Sequence, residues 1–291
     1  NPPPELLDRA PGEGIQGYRP SVSAKSRDFF TTKIPVYNNS EFCKGLYILR
    51  QLMTDCGQQY VLPASLKEKQ RLMRALMNVR QPLPATKEFL DAQDRELRMQ
   101  AEEKGMVSIE KEGLRLWQGD ITRLKVDAIV NAANSQMLGC WIPLHDCIDN
   151  CIHSASGIQL RQECYEQMKA QGHDELMGEA KITLAYNLPA KHVIHTVGPV
   201  IPQGLLPTEK QEEQLASCYC SCLNVAEANH LRSIAFCCIS TGVFNFPNER
   251  AAEIALATAR KWIATHQPSS IIQVVFNVFL DKDYDIYRKL L

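Results

Sequence analysis

The sequence contains no run of 18 apolar residues, so no segment of it reads as a membrane-spanning helix. It has no excess of positive charge: 32 Lys and Arg face 33 Asp and Glu, a formal net charge of -1. A surface that tracks nucleic-acid phosphates usually shows as a basic surplus, so nucleic acid is not expected as the main partner. Eleven cysteines are present, an odd number at irregular spacings, and Cys237 and Cys238 are adjacent inside an apolar run. They read as free thiols of a reducing compartment and not as a disulfide framework. The opening "NPPPELLDRAPGEG" has neither a basic flank nor an apolar core of the kind secretory leaders carry. The expectation is a soluble cytoplasmic protein without a membrane partner, whose oligomeric state composition does not set.

What is there falls into three textures. Residues 1–40 are rich in Pro, Gly, Ser and Asn and read as an extended arm. Over 41–105 the pattern turns helical: Leu46, Leu49, Leu52 and Met53 recur at helical spacing, then Leu72, Met73, Leu76 and Val79. A capping box, Ser65-x-x-Glu68, opens the second of these helices and Pro82 with Pro84 closes it, while a third runs from Thr86 to Lys104 and stops at Gly105. None of the three carries a convergent set of catalytic residue types. From 106 to 291 short β-like runs alternate with longer helical ones. Strands are predicted in "MVSIE", "LRLWQG", "DAIVNAA", "KITLAY", "HVIHTVG", "SIAFCCIS" and "IIQVVFNVFL", and helices near 148–171, 209–229 and 248–265. This alternation implies an α/β sandwich with a largely parallel sheet, in which ligands bind beyond the carboxyl ends of the strands.

Three strand tails are therefore of interest: "GDIT", "NAAN" and "STGVF". Asp120, directly after a glycine, could accept from an amine such as that of adenine or could cap a turn. Asn131 reads as an anchor for loop backbone, and Asn134 as the better ligand candidate. The stretch "GCWIPLHDC" places Cys140, His145 and Cys147 in the order Cys-x4-His-x-Cys. A closed structural zinc site takes four such ligands, so three of them are the pattern of a catalytic zinc. The loop is otherwise apolar, with Trp141, Ile142, Pro143 and Leu144, and deprotonated thiols there are costly unless a cation offsets them. The competing reading is three incidental buried residues. His153, His192 and His195 sit in apolar or strand contexts and read as core histidines, and Cys218, Cys220 and Cys222 lie in a predicted helix whose alternate residues face apart. Cys151 reads as a small buried thiol.

"GDIT…VDAIVNAAN", the helix start "IDNCIHSASG", "HVIHTVGP" and "STGVFNFP" together resemble the macrodomain family, which binds and often hydrolyses ADP-ribose. The resemblance covers about residues 106–291 and implies a three-layer α/β/α sandwich with a mixed, largely parallel sheet. Where many hydrolytic macrodomains have a glycine-rich loop, this sequence carries Cys140, His145 and Cys147, which resembles the zinc-dependent microbial branch that removes ADP-ribose from modified proteins. The segment 41–105 resembles the helical extension of that branch. The resemblance implies that Asp120 and Ile121 meet the adenine, and that the loop of Ser240, Thr241, Gly242, Val243 and Phe244 holds the diphosphate through backbone N–H groups, with Phe244 on a ribose. It places Asn134 and Asp149 at the distal ribose, where Asp149 serves either its helix terminus or the reacting sugar. The function so implied is zinc-dependent hydrolysis of mono-ADP-ribose from protein side chains, with mono-ADP-ribosylated protein and ADP-ribose as partners. The alternatives are a reader that binds ADP-ribose around a structural zinc, and an enzyme acting on a free ADP-ribose metabolite.

Overall fold

The computed structural model describes residues 40–291, so the arm read over 1–40 lies outside the described residues except for Ser40. Three helices come first: α1 (Ser40–Asp55), α2 (Leu66–Val79) and α3 (Lys87–Lys104). Side-chain oxygens of Ser65 and Thr86 cap α2 and α3 by accepting the N–H groups of Glu68 and Phe89, and Gly105 at φ 77° ends α3. The apolar stripes read from the sequence meet here: Leu49, Leu52, Leu72, Met73 and Leu76 form one core with Ile48 and Phe89.

The rest of the chain builds β1 (Gly113–Gln118), β2 (Ala128–Ala132), β3 (Ala180–Leu184), β4 (His192–Thr196), β5 (Ser233–Phe236) and β6 (Gln273–Val278). They form one sheet in the order β1-β6-β5-β2-β4-β3, parallel throughout except for the β3–β4 pair at one edge. Between them run α4 (Ile148–Ser156), α5 (Ile158–Gln171), α6 (Glu209–Ala228), α7 (Asn248–Thr265) and α8 (Asp281–Leu290). Alternation along β4 separates the two faces of the sheet. His195 meets Cys164 of α5, while Thr196, the next residue, meets Cys218 of α6. Tyr219 of α6, Phe236, Phe276 and Tyr287 of α8 pack ring against ring in that order to fill the second face. The result is a mixed, mostly parallel α/β/α sandwich.

Three expectations need correction. "MVSIE" is not a strand: among its residues only Val107 pairs, in an isolated bridge to Leu124. The backbone there is satisfied otherwise, because Gln273 Nε2 donates to the carbonyls of Ile109 (2.6 Å) and Lys111 (2.8 Å). The helix expected over 148–171 is two helices, broken at Gly157 with φ 104°. The run ending "VFL" leaves the sheet after Val278, and α8, which was not anticipated, follows with Asp281 and Asp283 in its first turn and Arg288 and Lys289 in its last.

The helical extension docks on the α4–α5 break. Gln93 of α3, fully buried, accepts the Ile158 N–H (3.0 Å) and donates to Gln159 (2.7 Å). Arg161 of α5, also buried, donates through Nη1 to the carbonyls of Met77, Asn78 and Arg80 at the end of α2. A Cβ on Gly157 would lie 2.7 Å from Gln93 Nε2 and from Gln159 Oε1, in a backbone region that L side chains rarely adopt. Gly157→Ala should therefore cost about 2–4 kcal/mol of stability, read by urea unfolding. An unchanged denaturation midpoint would show that the break tolerates a side chain and that the docking does not depend on it.

Candidate metal and ligand site

Because β1, β6, β5, β2 and β4 all run parallel, the loops that follow them share one edge of the sheet. After β1, Asp120 caps the short 3-10 turn Ile121–Arg123: its Oδ1 accepts the Thr122 N–H (2.9 Å) and the Thr122 hydroxyl (2.6 Å). The turn-cap role weighed for Asp120 is thus filled by one oxygen. The other, Oδ2, has among the described residues only Lys104 Nζ at 3.5 Å and stays available as an acceptor. Ile121 is buried beneath it. On the neighbouring strand's end, Phe279 is 71% exposed, an aromatic face that the sequence reading did not single out.

After β5, the segment 240–245 makes an open turn. Ser240 and Asn245 both take positive φ (64° and 56°), and the turn closes with Asn245 N–H on Gly242 C=O and Phe246 N–H on Ser240 C=O. Asn is among the side chains that best tolerate this region, which accounts for Asn245 where a glycine would also serve. Among the described residues, the N–H groups of Gly242, Val243 and Phe244 have no protein acceptor, and Gly242 and Val243 are exposed. A run of unpaired N–H groups of this kind suits an anion without any basic side chain. A Cβ on Gly242 would meet nothing within 4 Å, so the space above it is free. Gly198 has the opposite reason for being glycine: a Cβ there would fall 2.1 Å from Ser240 Oγ, so its absence lets the turn approach β4.

After β2 comes the loop of greatest chemical content. Asn131 is buried and its Nδ2 donates to Asp149 Oδ1 (2.8 Å), with His195 Nδ1 at 3.1 Å, so this amide holds side chains where loop backbone was expected as its partner. Asn134 Nδ2 donates to Gly139 C=O (3.1 Å) and stands 3.5 Å from Asp149 Oδ2, while its Oδ1 accepts the Gln136 N–H. Asp149, in the first turn of α4, thus faces both asparagines. Burial pushes its carboxyl up to about 7, and the neighbouring Cys140 sulfur adds to that, while the Asn131 hydrogen bond and the Arg161 charge act the other way.

Cys140 Sγ, His145 Nδ1 and Cys147 Sγ lie within 4.8 Å of one another, all half-buried. The Cys140–His145 separation is 3.6 Å. A tetrahedral zinc with Zn–S near 2.3 Å and Zn–N near 2.05 Å needs its sulfur and nitrogen ligands about 3.6 Å apart, so the donor set fits that ion. Cys147 is also the N-cap of α4, its sulfur accepting the Asn150 N–H, a position that favours a thiolate. The two thiols are coupled. Cys140 is drawn down to about 5 by hydrogen bonding from Cys147 and contact with His145, and Cys147 is pushed up in consequence. One proton leaves easily and the second does not unless a cation sits between them. Cys151 is absent from this group; its sulfur lies 3.8 Å from Arg74. A second donor cluster, His153, Cys164 and His195, is fully buried. His195 is already bonded at both nitrogens, to Asn131 and to Thr183, as a core histidine should be.

The Macro domain family model matches residues 130–255. A protein-ADP-ribose hydrolase of Treponema medium is 49% identical over 254 residues, 84% of this chain and 95% of that protein. The chain belongs to the macrodomain family. A protein-ADP-ribose hydrolase of Staphylococcus aureus (strain MRSA252) is 49% identical over 235 residues, 79% of this chain and 87% of its own. Among solved structures, the Trypanosoma brucei macrodomain in complex with ADP-ribose is 36% identical with a TM-score of 0.54, covering 64% of this chain and 76% of that one. The Oceanobacillus iheyensis macrodomain with ADP, also 36% identical, gives 0.54 over 62% and 90%. The 254-residue match to the Treponema protein is longer than the sheet-bearing part of this macrodomain protein and so takes in residues of the helical extension.

Sequence reading missed Arg74, Asn78 and Asn150, which bond to the Cys-His-Cys loop, and Arg161 beneath it. The available signal was a polar pair, Arg74 and Asn78, amid the apolar residues of α2. Asp149 generates a pH-dependent prediction. Its folded pKa lies above the ordinary value of 3.8, so the proton it holds stabilises the fold fully only below that value, and the contribution is lost as pH rises through about 7. In metal-stripped protein, Asp149→Asn should be more stable than the parent at pH 8 by about 2–4 kcal/mol, with the gap closing near pH 4. Equal urea midpoints at pH 8 would show that the carboxylate is not penalised by its burial.

Proposed function

We propose that this macrodomain hydrolyses the bond between ADP-ribose and a modified protein side chain, with zinc held by Cys140, His145 and Cys147. The observation that carries the reading is the Cys-His-Cys donor group set beside Asp149 and Asn134, on the same sheet edge as a loop of unpaired N–H groups. The name protein-ADP-ribose hydrolase borne by relatives 48–49% identical agrees with it. In this reading Asp120 Oδ2 accepts from the adenine amine and Phe279 offers a face to the planar base. The N–H groups of Gly242, Val243 and Phe244 take the diphosphate, and Phe244 packs on a ribose. Cys140, His145 and Cys147 would hold the zinc, which when bound would supply a Lewis acid for a water or ribose hydroxyl. Asn134 and Asp149, 3.5 Å apart, orient the distal ribose.

A reader of ADP-ribose needs the Asp120 and Gly242 ends of this site but not the metal. Replacing Cys140 or Cys147 by Ala should remove the zinc and reduce release of protein-linked ADP-ribose at least about 100-fold, while free ADP-ribose still binds within about tenfold. Zinc returned to chelated parent protein should restore release, and zinc given to the Cys variants should not. Release at the parental rate by metal-free protein would assign the loop a structural role.

Gly242→Val should act at the other end. With open space at its Cβ and an ordinary φ, the substitution should leave the melting temperature within about 2 °C of the parent and abolish ADP-ribose binding in calorimetry. Retained micromolar binding would place the diphosphate elsewhere.

A further inference from the structure

The helical extension reaches the Cys-His-Cys loop through two side chains one turn apart on α2. Arg74 Nη2 donates to the His145 carbonyl at 2.7 Å, and Asn78 Oδ1 accepts the Leu144 N–H at 3.0 Å. The two contacts fix both ends of the segment that delivers His145 to the thiols. That segment is strained: Leu144 sits at φ 59°, the left-handed region disfavoured for residues with a Cβ, and His145 N–H turns back onto Ile142 C=O. Held this way, the imidazole faces Cys140 at 3.6 Å.

The same two residues also grip α4, whose N-cap is Cys147. Arg74 donates from Nε and Nη2 to Asn150 Oδ1 (3.3 and 3.0 Å), and Asn78 Nδ2 donates to Ser154 Oγ (2.9 Å). Ser154 in turn donates to Asn150 Oδ1, and Asn150 Nδ2 donates to Ile142 C=O (2.9 Å). Asn78, Asn150 and Ser154 are all buried, Asn78 to 1% exposure. An extension that served only to cover apolar surface would have no use for an amide at that depth aimed at loop backbone. We propose that Arg74 and Asn78 are positioning residues of the metal centre, so that the helical extension is a working part of the site. The inference rests on the zinc reading above.

The test uses the full chain and reads zinc affinity by competition with a chromophoric chelator, alongside the visible absorption of the cobalt-substituted protein. Arg74→Ala and Asn78→Ala should each weaken zinc binding about 10–100-fold, the usual cost of losing a group that orients a metal ligand, and should alter the cobalt spectrum. Affinity of the metal-free variants for ADP-ribose should stay within about twofold of the metal-free parent. Arg74→Lys keeps the charge near Asp146 but not the forked donation, and should remain weak in zinc binding. Gln70→Ala, which removes a hydrogen bond to Glu96 inside the extension, should cost some stability and leave zinc affinity unchanged. Should Arg74→Ala fail to fold, Arg74→Lys and Asn78→Ser carry the comparison. Folded variants with parental zinc affinity and cobalt spectrum would overturn the positioning role alone. A parent chain that binds no zinc would overturn the metal reading and this inference with it.

Discussion

The site depends on one buried charge. The Arg161 guanidinium donates to three carbonyls at the end of α2, to Leu138 C=O in the Cys-His-Cys loop (2.6 Å), and lies over the Trp141 ring at 4.0 Å. Taking a guanidinium out of water is expensive, and burial lowers its pKa to about 10, with Asp149 and Cys140 opposing the shift. It stays charged at neutral pH because helix-end carbonyls and an aromatic face replace its hydration. No other side chain has a planar fork able to serve two separate pieces of backbone and an aromatic face at once. The extension, the loop and α5 are therefore held in register by a single group.

The electrostatics of the sheet edge follow from an overall charge near zero. The open turn at 240–245 presents N–H groups in place of lysines, so an anion there would be held by backbone shape and by the space above Gly242. At the other end acidic groups are concentrated: Asp149 and two coupled thiols lie within one loop and one helical turn. Such a group holds its protons or holds a cation, and the α4 N-terminus and Arg161 only partly offset the charge. This contrast between the two ends makes the Cys-His-Cys loop chemically distinct from the open turn.

Much of this was legible in one dimension. Strand and helix alternation predicts the largely parallel sheet, because apolar periodicity is a local property, and with the sheet comes the edge where ligands gather. The order of "GDIT", "NAAN" and "STGVF" at strand ends identified three of its loops, and the short spacing of Cys140, His145 and Cys147 allowed one loop to bring them together. What the sequence misjudged was also local in appearance but set by distant partners. "MVSIE" has a strand's composition, yet Gln273, far along the chain, takes the carbonyls of Ile109 and Lys111, and the helix over 148–171 breaks at Gly157, where Gln93 accepts the Ile158 N–H and fills the space a side chain would need.

The sequence by itself determined the fold class and which residue types could do chemistry, since both follow from periodicity and from donors a few positions apart. Only the tertiary structure decided that Arg74 and Asn78, some 70 residues before the loop, hold its strained Leu144 and present His145, and that Asp149 is buried against two asparagines with its carboxyl pushed up to about 7. Hydrogen-bond partners brought together from separate helices leave no periodic trace in a chain, and a carboxyl's pKa depends on how much water its final surroundings exclude.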